Sequence, residues 1–171
     1  MPEKAWENIA MDFFGPLPNG NELMVVLDTF SRMPIVEEVK STGAEHVLTK
    51  LDTIISLFRI PKEIKSDNGP PLMINDLRSC ATTLALNIVK FTPYHTPANG
   101  SAKSLMKNMS KVIRNAIVER KDWRQTLYQF LRSYRSTPHS TTGIPPAVLI
   151  VGENRTDRLP TIRENKMLVL K

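Results

Sequence analysis

The sequence predicts one α/β domain built on a mixed five-stranded sheet, three antiparallel strands followed by two parallel ones, with helices flanking it. Three observations carry this reading. Up to Lys40 the chain holds three apolar runs of strand length separated by turn residues. After Thr42-Gly43 the hydrophobic spacing changes from that of a strand to that of a helix. Downstream of that, short strand-like runs alternate with helical patterns, the order expected of an α/β layer architecture.

After a short lead through Glu7, Asn8-Ile9-Ala10-Met11-Asp12-Phe13-Phe14 reads as an apolar strand interrupted by one acid. An Asp in such a strand costs free energy unless it has a partner or a metal; the alternative is a strand-end Asp that faces water or caps the turn at Gly15-Pro16. Asn19-Gly20 writes a turn into a strand from Glu22 to Asp28, whose Leu23-Met24-Val25-Val26-Leu27 core predicts burial on both faces. Asp28 and Ser31-Arg32 make the next turn, and Ile35 to Lys40 continues as a third strand. Val47, Leu48, Leu51, Ile54, Ile55 and Phe58 then recur at helical spacing up to Ile60-Pro61. A short strand from Glu63 to Ser66 delivers Asp67 into a turn written by Asn68, Gly69 and two prolines. A second helix is expected from Ile74 through Leu86, and a last strand over Asn87-Ile88-Val89-Lys90-Phe91. A loop from Pro93 feeds a helix beginning near Gly100, with Leu105, Met106, Met109, Val112, Ile113, Ala116 and Ile117 on one face. Trp123, Leu127, Phe130, Leu131 and Tyr134 form the packing face of a further helix. Three strands, then helix, strand, helix, strand, helix is the element order of the ribonuclease-H-like fold, which places Asp12 and Asp67 on adjacent strands.

Composition narrows the function classes. The chain of 171 residues is 41% hydrophobic, enough for one domain with its own core. Lys and Arg number 23 against 17 Asp and Glu, a formal charge of +6 that favours DNA or RNA as partner, although soluble basic proteins that bind no nucleic acid share this balance. The single Cys80 excludes an internal disulfide and a multi-cysteine zinc site, and points to an intracellular setting, nucleus or cytoplasm. Neither a membrane span nor a signal peptide is expected. His95 and His139 lack a second ligand at useful spacing, so surface or hydrogen-bonded histidines are expected there. Lys103, Lys107, Lys111 and Arg114 line the face of the long helix opposite its apolar stripe, either as its solvated side or as a ridge that contacts phosphates.

Four blocks together resemble the catalytic core of integrases from gypsy-type LTR retrotransposons, cousins of the retroviral integrases. They are Ala10 to Leu17, Lys65 to Pro71, Thr92 to Lys103, and Tyr134 to Gly143 with Pro145-Pro146-Ala147. The resemblance covers residues 5 to 160, so the core is taken as 1–160 and residues 161–171 as a C-terminal tail. It implies DNA as the partner, strand transfer as the family's activity, dimerisation through the core, and no small-molecule substrate. It also implies Asp12 and Asp67 as catalytic, metal-binding residues, and Asn99, Lys103, Lys107, Lys111 and Arg114 as contacts to nucleic acid.

In that family an Asp, an Asp and a Glu hold two Mg²⁺ or Mn²⁺ ions, with thirty-five residues between the last two. Here 103 − 67 − 1 = 35, so the glutamate position is occupied by Lys103. An ammonium cannot ligate, and at ~4 Å and an effective dielectric near 20 it repels each unit of metal charge by about 4 kcal/mol. Glu119 lies too far along the helix to substitute. The expectation is an integrase-like core with weak or absent metal binding and impaired catalysis. The alternatives are a working polynucleotidyl transferase with an altered metal site, and a dimeric protein-interaction module. Lys103 either pairs with Asp12 and Asp67 in place of the metal or extends into solvent.

Overall fold

Strand β1 (Asn8–Phe14) lies at the middle of the sheet, with β2 (Glu22–Asp28) antiparallel on one edge and β4 (Glu63–Ser66) parallel on the other. In the computed structural model, which describes residues 3–66, 90–91 and 97–151, β3 (Pro34–Val39) extends the sheet beyond β2 in antiparallel register. β5 (Lys90–Phe91) pairs parallel with β4, which makes the order β3-β2-β1-β4-β5. The mixed sheet and its directions are those expected from the sequence, but not as five comparable strands. Four strands of 7, 7, 6 and 4 residues carry the sheet, and β5 adds only a two-residue stub at its edge.

The alternation of side chains along β1 sorts the core into two layers. Ile9 and Met11, with Met24 and Val26 of β2, join Val47, Leu51 and Ile54 of helix α1 (Ala44–Leu57) on one face. Ala10, with Leu23, Val25 and Leu27 of β2, packs on the other face. There it meets Ala102, Leu105, Met109 and Ile113 of helix α2 (Pro97–Val118), and Leu127 and Leu131 of helix α3 (Trp123–Ser136). The uninterrupted apolar run of β2 follows from this, because both of its faces are covered. Near the end of β1 the backbone passes so close to β2 that a Cβ on Gly15 would stand 2.7 Å from the Glu22 Cγ. No helix is long and apolar enough to cross a membrane among the described residues.

The structure corrects some element bounds. α2 starts at Pro97 rather than near Gly100, since a proline in the first turn needs no intrahelical N–H and its fixed φ suits a helix. A short helix, α4 (Pro146–Val151), follows the last turn and was not expected. Its first turn is signalled by the same Pro placement, and the Pro145 carbonyl accepts from the Val148 and Leu149 amides. The expected helix over 74–86, residues 87–89 of the last strand and the tail lie outside the described residues.

Polar groups tie distant segments to this frame. Asp28, fully buried at the end of β2, accepts from the Trp6 amide at 2.9 Å, and from the Ser31 amide at 2.9 Å and hydroxyl at 2.5 Å. Glu38 of β3 accepts from Asn19 at 2.6 Å and Asn21 at 2.7 Å, and takes both Nε and an Nη of Arg124 on α3 at 3.0 Å. The Arg124 contact is the main cause that holds the Glu38 carboxyl at about 2, against an ordinary 4.5. A depressed carboxylate contributes stability that is full above about pH 4.5 and is lost as pH falls through about 2. Glu38→Gln should therefore cost about 1–2 kcal/mol in urea unfolding at pH 7, a modest figure because Arg124 is 44% exposed, and the difference from the parent chain should shrink towards pH 2.

Candidate functional site

Asp12 falls on the same face of β1 as Ala10 and Phe14, the face covered by α2 and α3, and pairs across the sheet with Val25. Its side chain is half-buried and its Oδ1 accepts from the Phe13 amide at 2.8 Å. Of the roles left open for it, capping the turn at Gly15-Pro16 is therefore not what this contact does. The adjacent strand β4 runs parallel to β1, and their register runs from Asn8↔Glu63 to Met11↔Ser66. The adjacency expected for the two acids is present in the strands themselves. Asp67, the residue after Ser66, lies outside the described residues, as does His95.

Helix α2 is brought against this face by its own apolar stripe. Ala102 and Leu105, at most 3% exposed, share a cluster with Ala10 and Leu17, so the first half of the helix lies close on the sheet layer that carries Asp12. The residue after Ala102, Lys103, is exposed, as are Lys107, Lys111 and Arg114. Their spacing of four, four and three residues keeps them on one side of the helix over about 16 Å, at 1.5 Å of rise per residue. No Asp or Glu occurs between Pro97 and Val118 to neutralise them. Asn99 falls in the first turn of α2, and its side chain lies outside the described residues.

Two further groups on β4 were not singled out from the sequence. Lys65 pairs in register with Ala10, which puts it on the Asp12 face; its side chain is 17% exposed and its ammonium lies 3.3 Å from the Glu63 carboxylate. Ser66 is 7% exposed, and its hydroxyl has no hydrogen-bond partner among the described residues. Only strand alternation would have signalled either, and it needs the register of β4 against β1, which a four-residue strand does not specify.

Among the described residues, the carboxylates on this face are Asp12 of β1 and Glu63 of β4, and Glu63 is already ion-paired with Lys65, so these residues alone do not make a two-metal centre. Among the described residues no group of three His, Cys, Asp or Glu side chains could hold a metal ion. His139 behaves as a hydrogen-bonded histidine: its Nδ1 accepts from the Thr141 amide at 3.2 Å, its ring meets Tyr134 edge-on at 6.0 Å, and burial pushes its pKa down.

With this geometry in hand, similarity to known proteins has a specific meaning. The family model described as an integrase core domain matches residues 2–96, more than half of the chain. An uncharacterised protein of Caenorhabditis elegans is 32% identical over 148 residues, which is 86% of this chain and 12% of that protein. The transposon Tf2-3 polyprotein of Schizosaccharomyces pombe is 30% identical over 155 residues, again 86% and 12%. The chain thus spans about an eighth of the length of these relatives. Among solved structures, the HTLV-2 integrase catalytic core in complex with magnesium superposes with a TM-score of 0.68 at 15% identity, over 88% of this chain and 99% of that one. The BIV integrase catalytic core gives 0.66 at 16%, over 85% and 94%. At such identities these structures establish the fold, a ribonuclease-H-like integrase core with a mixed sheet and helices.

The close approach of α2 gives a direct test of how the site is built. Ala102→Leu should overfill the buried layer between α2 and the sheet and destabilise the chain by about 1–3 kcal/mol in urea unfolding, whereas the same change at exposed Ser104 should be nearly neutral.

Proposed function

The chain belongs to the integrase core domain family, of the retrotransposon and retroviral type, and from that membership we propose that it is a degenerate core: it keeps the fold and binds nucleic acid through α2, but has lost efficient strand transfer. The observation that carries this reading is the packing of α2, through Ala102, Leu105, Met109 and Ile113, on the core layer that includes Ala10 of β1, which sets a helix rich in cations and free of acids beside the face that holds Asp12. Residue 103, at the spacing where the family has its third carboxylate, is Lys103 in that helix. In this reading the core spans residues 1–160, and Asp12 and Asp67 are the surviving pair of the family's three acids.

A charge argument decides between impaired and working catalysis. A divalent metal is a property of the family, and Mg²⁺ is present in the HTLV-2 core. For this chain, a lysine at position 103 within ~4 Å of such an ion would cost about 4 kcal/mol for each unit of metal charge, more than one hydrogen bond to a neighbouring hydroxyl or water recovers. No step through a metal is therefore assigned here. What these residues do is bind polyanion. Lys103, Lys107, Lys111 and Arg114 each contact a phosphate along the ridge, and Asn99 adds a neutral contact at its start.

Two measurements test the reading. In a nicking assay with Mn²⁺ and a labelled duplex, the natural chain should be inactive and Lys103→Glu should gain metal-dependent cleavage; cleavage by the natural chain that disappears in Asp67→Asn would overturn the proposal. In DNA binding followed against salt, replacing Lys107, Lys111 and Arg114 together by Ala should reduce the slope of log K against log salt by about 2 to 3, at 0.9 per lost phosphate contact. A flat slope for the natural chain would point instead to a protein-interaction module.

A further inference from the structure

A second concave surface lies away from the Asp12 face, where the N-terminal segment, the end of α1 and α4 come together. It is a groove of about 360 Å³ whose lining includes Lys4, Trp6, Phe58, Arg59, Ile150 and Val151. We infer that this groove binds an acidic peptide segment of a partner protein, which inserts an apolar side chain between Phe58 and the Ile150-Val151 wall and sets carboxylates against Lys4 and Arg59.

The floor of the groove is held in place before any ligand arrives. Trp6 is 2% exposed and has a φ of +65°, a conformation a bulky side chain rarely adopts, fixed by the hydrogen bond from its amide to buried Asp28 at 2.9 Å. Its ring stacks on Phe58 at 4.2 Å between centroids, and the Arg59 guanidinium donates to the Ala5 carbonyl. A surface fixed in this way loses little conformational freedom on binding. Among the described residues Trp6 Nε1 is buried with no acceptor, an uncommon state for an indole donor.

Charge and shape select the occupant. Among the described residues Lys4 and Arg59 line the groove and no acid does; Glu7 is paired with Lys62 at 2.7 Å and Glu3 is exposed. Phe58 and Val151 remain 36% and 39% exposed although they flank a concavity, which is how an anchor pocket differs from a scattered surface apolar residue. The wall formed by Leu149, Ile150 and Val151 is aliphatic, so it suits a Leu or Phe anchor; a stack of nucleobases calls for aromatic platforms in series. This inference is independent of the DNA-binding ridge and stands whether or not that reading does.

The test uses the full chain and two short fluorescent peptides, each with a Leu and a Phe, flanked by Glu in one and by Lys in the other. The Glu peptide should bind saturably and about tenfold or more tightly than the Lys peptide. Lys4→Glu and Val151→Asp, both at exposed positions, should each weaken it by about tenfold while leaving the circular dichroism and the salt slope for DNA unchanged. Equal binding of the two peptides, or indifference to both substitutions, would overturn the inference. So would displacement of the Glu peptide by a single-stranded oligonucleotide, a dimer in light scattering that Val151→Asp dissociates, or a zero-length cross-link from Lys4 to Glu164 within one chain. Those three results would give the groove to nucleic acid, to a second copy and to the chain's own terminus respectively.

Discussion

Everything in this chain is arranged about β1, a strand that must be paired on both edges and covered on both faces. Its ladders to β2 and β4 satisfy the backbone along both sides, and its alternation sends Ile9, Met11 and Phe13 to the layer under α1 and Ala10, Asp12 and Phe14 to the layer under α2 and α3. A shift of one residue in that register would bury Asp12 among the core residues of α1 and turn Met11 towards the helix with the cations. The apolar residues on either side of it therefore fix the position of the acid as firmly as any partner of its own does.

Helix α2 shows how one element serves stability and recognition at once. Its buried stripe of Ala102, Leu105, Met109 and Ile113 makes the second core layer, and its opposite side carries four cations with no acid among them. The two faces are not independent, because Lys103 follows directly on buried Ala102 and is carried by the same packing of the helix on the sheet.

At the far edge of the molecule, buried polar groups do the work that periodicity cannot. Asp28 holds the Trp6 amide and the Ser31 turn together, and Glu38 gathers two asparagines of one turn and an arginine of α3. Asp28, buried, and Glu38, partly exposed, act as struts: each contact is modest, but removing the acceptor would leave several donors without it at once. The fixed Trp6 ring, and with it the groove beside α4, is a consequence of the Asp28 contact.

The sequence by itself determined the frame. β1, β2 and β4 have the bounds that their apolar runs and turn residues predict, the packing faces of α1 and α3 are those of their spacing, and the ridge on α2 can be counted off at intervals of four and three. These features are local: period two or 3.6, a proline, a glycine. The rest depended on residues that meet only after folding. Glu38 and Arg124 are 86 positions apart, Arg135 donates to the Pro34 carbonyl across 101, and Trp6 meets Phe58 from the other end of a three-strand and one-helix excursion. Lys65 belongs to the Asp12 face solely because β4 pairs with β1 in one register rather than the next. No periodic pattern marks such contacts, since each is one side chain meeting a group brought to it by the packing of whole layers, and only the tertiary structure decides which group that is.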